Sequence, residues 1–325
     1  MKCISFQGIQ NASRRIKSFA IKTPVMTSTT LNSITNAQVY LKCENFQRVG
    51  AFKFRGAFNA LNMLPKEERE RGVITHSSGN HAQAVALAAS ILGIKATIVM
   101  PKGAPINKIN ATKDYGAEIV FCENTLEARA QKTEEIIKEK KYALIHPYDN
   151  DDIINGQGTA AFELMREVRK LDLVVAPLGG GGLLSGTAIA TKSLNPKAQV
   201  FGVEPSMADD ALKSIQEGRI IPSTHPNTIA DGLRTSLCER TFKIIQELVD
   251  QIVTVSENEI LEAMKFIWER IKIIVEPSGA VPLAAILSKK INVEERRVGV
   301  ILSGGNIDID PFFDLLRKKI IDHIN

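Results

Sequence analysis

Four short segments of this chain combine residue types that could do chemistry. Gly179-Gly180-Gly181-Gly182 lies between an apolar run and a helical pattern. Residues without Cβ let backbone N–H groups converge on an anion, and a helix N-terminus behind them adds a favourable dipole. The spacing is neither that of a nucleotide P-loop nor a clean Gly-x-Gly-x-x-Gly. The guest is read as a phosphate, with a flexible turn as the bland alternative. Ser77-Ser78-Gly79-Asn80-His81 stands at another strand-to-helix junction, where hydroxyls, an amide and free helix donors can hold a carboxylate. N-capping alone is the alternative there. In Gly50-Ala51-Phe52-Lys53-Phe54-Arg55-Gly56, two phenylalanines flank Lys53 and favour a neutral, nucleophilic amine. A lysine that buries its stem and keeps its charge in water is commoner. Ser303-Gly304-Gly305-Asn306 follows the last apolar strand, where a serine can touch a ligand at a cleft or simply turn the chain.

Each segment alone has an ordinary explanation. Together they ask for a ligand with a phosphate and an electrophile for lysine, whose partner is an amino acid. Pyridoxal 5′-phosphate meets all three requirements.

The elements that must position these segments alternate. Val73-Ile74-Thr75 reads as a strand, followed by a helix through Gln83 to Ala89 that Gly93 closes. Strands at Ala96 to Met100, Glu118 to Phe121 and Ala143 to Ile145 are separated by helices at about Ile106 to Asp114 and Leu126 to Lys141. That succession of β-α steps predicts a parallel, doubly wound sheet. The pattern restarts with a helix from Asp152 to Lys170, a strand at Leu173 to Ala176, the glycine run, another helix, and strands at Val200 to Val203 and Val298 to Leu302. The expected fold is α/β, with two doubly wound open-sheet domains. A small domain at 72–149 is inserted in a larger one built from 1–71 plus 150–325, and the cleft between them is the expected place for a small molecule.

Composition narrows the function classes. The chain has 325 residues, 44% apolar and 24% charged, which is ordinary for a globular protein. Lysine and arginine exceed the acids by 41 to 36, a mild +5 spread along the chain. Lys138-Glu139-Lys140-Lys141 reads as a solvated helix face. Aromatic residues are only 6% and none interleave with a basic run, so nucleic acid is not an expected partner. Cys3, Cys43, Cys122 and Cys238 are scattered and indicate neither a disulfide framework nor a zinc site. No secretory signal is visible in Met1 to Gln10, and no run reaches the about 18–20 apolar residues of a membrane span. A cytoplasmic protein is expected.

These segments resemble the tryptophan-synthase-β-like, fold-type II group of pyridoxal-phosphate enzymes, and within it the serine racemase and serine/threonine dehydratase branch, closest to the racemases. The likeness runs from about Ser5 to Asp310. It is carried by Thr23-Pro24-Val25, Lys42-Cys43-Glu44-Asn45-Phe46-Gln47, Gly156-Gln157-Gly158-Thr159, Thr228-Ile229-Ala230-Asp231-Gly232, Glu276-Pro277 and Leu302-Ser303-Gly304-Gly305-Asn306. By this resemblance Lys53 carries the cofactor and Phe52 lies against its ring. Gly179, Gly180, Gly181 and Gly182 with Leu183 hold the phosphate, Asn80 bonds the ring hydroxyl, and Ser303 bonds the ring nitrogen. A serine there, rather than an aspartate, leaves that nitrogen largely unprotonated, which suits elimination or simple proton transfer.

The implied activity is interconversion of L- and D-serine, with accompanying elimination to pyruvate and ammonia. Lys53 removes the α-proton from one face and Ser78 serves the other. Ser77, Ser78, Gly79, Asn80 and His81 surround the substrate carboxylate, and Arg129 and Thr235 approach as the small domain closes. Tyr148 replaces a small amide of animal racemases. Ala51-Phe52-Lys53-Phe54 and Tyr148-Asp149 look more like fungal relatives, some of which dehydrate 3-hydroxyaspartate. The nearest alternative is therefore a serine, threonine or 3-hydroxyaspartate dehydratase with negligible racemisation.

Glu204-Pro205-Ser206-Met207-Ala208-Asp209-Asp210 matches the branch's divalent-cation loop. Glu204 and Asp210 supply carboxylates and Ala208 a carbonyl, a set suited to magnesium, calcium or manganese. An acidic helix start is the alternative. Animal racemases of the branch also bind ATP as an effector at a dimer interface. The candidate positions are Ser28, Thr29, Thr30, Gln83, Tyr115, Lys272 and Asn306, with departures at Gln10, Arg48 and Val49, of which Arg48 could still bind phosphate. A homodimer is implied, and no regulatory domain beyond residue 325 is expected. From a different class, a nicotinamide oxidoreductase would use Glu204, about 20 residues past the glycines, to hold a ribose. It leaves Lys53 and the Ser77 to His81 segment unexplained. A catalytically dead binding protein is opposed by the intact set of Lys53, Asn80, glycine run and Ser303.

Overall fold

The alternation of strands and helices builds two sheets in the computed structural model, which describes residues 4–104, 106–309 and 312–313. Cys3 and Asp310, named above, lie outside the described residues. The strands in chain order are β1 (Val25–Met26), β2 (Gln38–Cys43), β3 (Val73–His76), β4 (Ala96–Pro101), β5 (Glu118–Cys122), β6 (Ala143–Leu144), β7 (Leu173–Pro177), β8 (Gln199–Pro205), β9 (Gln251–Val255) and β10 (Arg297–Leu302). One sheet runs β5-β4-β3-β6 and is wholly parallel. The other runs β1-β2-β10-β7-β8-β9, parallel except for the two-residue edge strand β1. β4 and β7 are buried at every residue, as apolar strands covered by helices on both faces must be.

Register sets where the chemistry can go. Val300 pairs with Val175, and Pro177 with Val203, so β10, β7 and β8 end at one rim of the larger sheet. The glycine run, Ser303 and the Glu204 segment all sit at that rim. His76 pairs with Val99 at the corresponding rim of the smaller sheet, and Ser77 to His81 follow directly. Ligands of open α/β sheets bind at such carboxyl ends.

Lys53 belongs to neither sheet. It opens a helix, Lys53–Met63, whose Phe54, Phe58 and Leu61 pack with Val85, Ala88 and Ile98 of the smaller sheet's layer. On its other flank this helix meets the helix Asp151–Gln157 backbone to backbone. A Cβ at Gly156 would lie 2.6 Å from the Cα of Gly56, so neither glycine can be replaced without parting the helices. Two residues beyond Lys53, the fully buried Arg55 guanidinium donates in pairs to Glu44 (2.6 and 2.8 Å) and Glu163 (2.8 and 2.9 Å). Lys42, also fully buried, donates to Glu163 at 2.8 Å and to the Thr23 carbonyl at 2.7 Å. With its charges balanced and its donors filled, this network locks the Lys53 helix to β2. Removing one partner would strand a buried charge at a cost of about 3–5 kcal/mol.

The helix expected from Asp152 to Lys170 is two helices, Asp151–Gln157 and Thr159–Glu167. Gly158 marks the break, where its N and Cα meet Gly186 so closely that a Cβ on Gly186 would come within 2.6 Å. Close approach of backbones decides the break, and a pattern of apolar side chains cannot show it. β1, β2 and β9 fall outside the expected strands. β2 interrupts its apolar run with Lys42, which only the Glu163 ion pair makes buriable. Among the described residues no helix is long and apolar enough to cross a membrane, and Cys43, Cys122 and Cys238 are free.

Candidate active site

Lys53 Nζ donates to the Pro147 carbonyl at 3.1 Å and stands 5.2 Å from the centre of the Phe52 ring. Burial lowers its pKa from 10.5 to about 8, against the pull of the Glu276 carboxylate. The desolvation expected from the flanking phenylalanines is therefore present. Phe54, however, turns away into the core and is fully buried.

Asn80 begins the helix Asn80–Leu92, whose first-turn N–H groups have no intrahelical acceptor. Ser77 Oγ accepts from the Gly79 N–H at 3.2 Å, and the Ser78 side chain makes no hydrogen bond among the described residues. His81 is buried, with Nε2 at 2.9 Å from the Ile145 carbonyl and Nδ1 unpartnered. Burial and the Lys53 charge hold its imidazole neutral. Asn80 Nδ2 donates to Glu276 Oε1 at 2.7 Å, while Asn80 Oδ1 accepts from Asn306 Nδ2 at 2.8 Å. The structure thus brings three sequence-picked segments, around Lys53, Asn80 and Ser303, into one cluster. Phe52 N–H donates to the Ser303 carbonyl at 3.0 Å, and Ala51 bridges to Gly304.

The glycine run closes the other side. Gly182 starts the helix Gly182–Leu194, and Gly181 takes a left-handed φ of +84°. A Cβ on Gly179 would meet Leu233 Cα at 2.9 Å and Thr235 Oγ1 at 3.2 Å. One on Gly180 would run into the Tyr148 ring, and one on Gly182 would meet Tyr148 Cβ at 2.9 Å. Leu183 is buried beside them. Every position of the run is walled, so the glycines are required by close approach. With the N–H groups of a helix start beyond them, they fit a phosphate, and the buried amine of Lys53 fits an aldehyde.

Glu276 and the pair His146-Pro147 escaped the sequence reading, which named the adjoining Tyr148 only as bearing on substrate. Glu276 was noted only as half of a Glu-Pro motif. It is buried against Gly304 and Asn80, and burial together with the Asp231 charge raises its pKa to about 8. An acid directly before an apolar helix start, Pro277-Ser278-Gly279-Ala280, was the available signal. The segment His146-Pro147-Tyr148 supplies the carbonyl for Lys53 and the wall for the glycines. Its rings sit edge to face, 4.7 Å between His146 and Tyr148 and 6.0 Å between His146 and His76. Burial lowers the pKa of His146 to about 4 and raises that of Tyr148 to about 12. No local pattern announces this segment, because it is an irregular loop after a two-residue strand.

The remaining positions sort differently. Glu204, at the end of β8, accepts from the Ala211 and Leu212 N–H groups at 3.2 and 2.9 Å. Each oxygen thus already accepts one backbone N–H, which anchors the carboxylate to the start of the next helix. Asp210 lies close by, buried, with both carboxylate oxygens unpartnered. Burial pushes Glu204 well above the carboxylate range and Asp210 to about 6. Ala208 is buried between them in the chain. Among the described residues, no three His, Cys, Asp or Glu side chains group as a metal cluster. Ser28 caps the helix Thr29–Thr35, which carries Thr29 and Thr30, and Arg48 donates to the Phe19 carbonyl. Gln83 is buried, Tyr115 packs against the smaller sheet's core, and Lys272 holds a left-handed φ of +66°. Among the described residues, Asn306 of this group reaches the cluster around Lys53, through Asn80.

A family model for pyridoxal-phosphate-dependent enzymes matches residues 16–304. The chain belongs to that family. It is 47% identical over 320 residues to a serine racemase of Dictyostelium discoideum, covering 97% of this chain and 99% of the relative. It is 50% identical over 316 residues to an L-threo-3-hydroxyaspartate ammonia-lyase of Saccharomyces cerevisiae, covering 97% of each. The solved structure of the Dictyostelium discoideum serine racemase superposes with a TM-score of 0.90, covering 94% of this chain and 99% of the other. Membership of this family, with these relatives, establishes an α/β fold of type II and a pyridoxal-phosphate-dependent racemase or lyase.

Proposed function

We propose that the protein interconverts L- and D-serine and also eliminates water from serine, releasing pyruvate and ammonia. The observation that carries this reading is the Lys53 amine, whose burial lowers its pKa to about 8 and whose charge acts on His81, in the same loop as a Ser78 hydroxyl that makes no hydrogen bond among the described residues. When bound, pyridoxal phosphate supplies an aldehyde for Lys53 and a ring that draws electrons from the substrate's α-carbon. Substrate releases Lys53, whose Nζ then takes the α-proton. Ser78 Oγ returns a proton to the opposite face, or the β-hydroxyl leaves first. The first-turn N–H groups after Gly79 bind the carboxylate, and Asn80 and Glu276 orient the ring side of the site.

The test is one incubation with L-serine, in which D-serine and pyruvate are both quantified. Ser78→Ala is expected to cut D-serine formation by about 10²-fold or more while pyruvate release persists. An undiminished D-serine rate would remove Ser78 from its role. A second reading, hydroxyaspartate lyase, is supported by the yeast relative at 50% identity, against 47% for the racemase.

The roles assigned by residue to cofactor, substrate and metal belong to this proposal, as does closure of 72–149 over the rest. The Glu204 and Asp210 pair fits a divalent cation, because two adjoining buried carboxylates pushed toward neutrality are relieved by a positive ion. A homodimer would cover the half-exposed Phe46 and Ile274, which Asn45 ties together at 3.0 Å. Sedimentation that finds only monomer would overturn it. ATP as an effector rests on the resemblance and on the Asn306 to Asn80 bond, and a rate indifferent to ATP would dismiss it.

A further inference from the structure

We propose that Arg240 is a positioning residue for the cofactor. Through Asp149 and Asp151 it sets the gap between the glycine run and the His146-Pro147-Tyr148 loop. This rests on the reading above, which places the phosphate at the glycine run and the aldehyde at Lys53.

Arg240 stands in the first turn of the helix Glu239–Leu248. That turn carries the positive end of the helix dipole, so a cation is disfavoured there. Its acidic partners account for it. The guanidinium pairs with Asp149 Oδ1 through Nη1, and with Asp151 Oδ1 through Nε at 2.7 Å. A planar fork of donors can hold two carboxylates at once, which an ammonium does less well.

The two acids hold the two ends of one turn of chain. The Asp149 N–H donates to His146 Nδ1 at 2.8 Å, and the Tyr148 N–H reaches the same atom at 3.4 Å, so the loop folds round its own imidazole. Asn150 Oδ1 accepts from the Ile153 N–H at 3.0 Å and caps the next helix. Asp151 opens that helix, whose Gly156 abuts Gly56 of the Lys53 helix. Arg240 therefore grips the loop where it leaves the smaller sheet and where it joins the partner of the lysine helix.

The helix of Arg240 also touches the cradle. A Cβ on Gly181 would meet Thr241 Cβ at 2.8 Å and Ile245 Cδ1 at 2.9 Å. Thr241 is itself fixed, because its Oγ1 accepts from the Cys238 N–H at 3.1 Å. On the opposite side the Tyr148 ring walls Gly180 and Gly182. Glycine run, Tyr148, Asp149, Arg240 and Thr241 thus close a ring. Contacts with the glycines stop this ring from shrinking, and the ion pairs of Arg240 stop it from opening. The same loop presents the Pro147 carbonyl to Lys53 Nζ, so one link governs both the cradle and the amine. The pairs are partly exposed, and such pairs add little to global stability. Their loss is expected in cofactor binding, with little change in unfolding.

Apoprotein of the wild type, Arg240→Gln, Arg240→Lys and Arg240→Gln with Asp149→Asn is titrated with pyridoxal 5′-phosphate, following the visible band. Titrations are run at about 0.05 M and about 0.5 M sodium chloride, which spans strong and weak screening. At low salt Arg240→Gln should raise Kd about 5–10-fold while Tm of the apoprotein stays within about 2 °C of wild type. Arg240→Lys should recover part of the loss, and adding Asp149→Asn to Arg240→Gln should cost nothing further. At high salt the ratio of the Arg240→Gln and wild-type Kd values should shrink toward one. An Arg240→Gln Kd within about twofold of wild type at low salt would overturn the proposal. So would a ratio that ignores salt, or a Tm that falls with the affinity and is not rescued by lysine. A Lys53→Ala variant that keeps the full visible band would instead count against the site reading beneath it.

Discussion

The glycine run and the Ser77 to His81 loop are both strand-to-helix turns that present backbone donors to an anion, yet they are built to opposite tolerances. A Cβ at Gly179, Gly180, Gly181 or Gly182 would strike a neighbour in every case, whereas one at Gly79 would find nothing within 4 Å. The glycine run is buried throughout, and residues 77–80 are only partly so. A cradle for a guest that stays can be walled on all sides, because it opens rarely. A receptor for a guest that arrives and leaves each turnover needs free volume and a solvent path. On the proposed reading, the difference assigns the glycine run to the cofactor and the Ser77 to His81 loop to the substrate.

The largest effect expected from this contrast comes from exchanging one methyl group. Gly180→Ala should drive the Tyr148 ring aside and weaken cofactor retention by at least about tenfold, read from the visible band after dialysis. Gly79→Ala should keep the band and alter only the amino-acid KM. If Gly79→Ala lost the cofactor as readily, the two loops would not divide the work this way.

A middle-sized effect concerns Glu276, which accepts from Asn80 at the end of the second loop. Its folded pKa of about 8 lies above the usual 4.5, so the fold prefers it protonated. That contribution is complete below the ordinary value and is lost as pH rises toward 8. Glu276→Gln keeps the neutral form at all pH values. The variant apoprotein should gain roughly 1–3 kcal/mol over wild type at pH 8 and nothing at pH 4, by denaturant unfolding. A gain that did not depend on pH would mean Glu276 is already ionised in the fold.

The smallest effect should come from the Glu204 and Asp210 pair, which borders the rigid side. Chelation is expected to lower Tm by about 2–4 °C while leaving the visible band intact, and Asp210→Asn should abolish the response to magnesium. A chelator without effect on Tm would argue against a cation there.

Much of this site was legible because its parts advertise themselves locally. Four consecutive glycines, a lysine between phenylalanines and a serine after a strand are patterns of a few residues each. The two parallel sheets followed from apolar runs that alternate with helical patterns. What stayed hidden depends on distant contacts. Lys42 in β2 is intelligible only with Glu163, far along the chain, and the break at Gly158 only with Gly186. Pro147 acts through a carbonyl, which no side-chain pattern encodes. Glu276 looks like any helix-start acid until Asn80 and Gly304 are placed against it.

The helix that begins with Lys53 leans on the smaller sheet's layer through Phe54, Phe58 and Leu61, although its chain belongs to the stretch before that sheet. For anyone who recombines relatives to change substrate, the smaller sheet is therefore not a cartridge. A chimera that imports only 72–149 would seat a foreign Val85 and Ala88 surface under the native lysine helix and tilt the amine before any substrate residue had its say. The exchangeable unit includes the buried face of that helix, and libraries built on relatives should vary the two surfaces together.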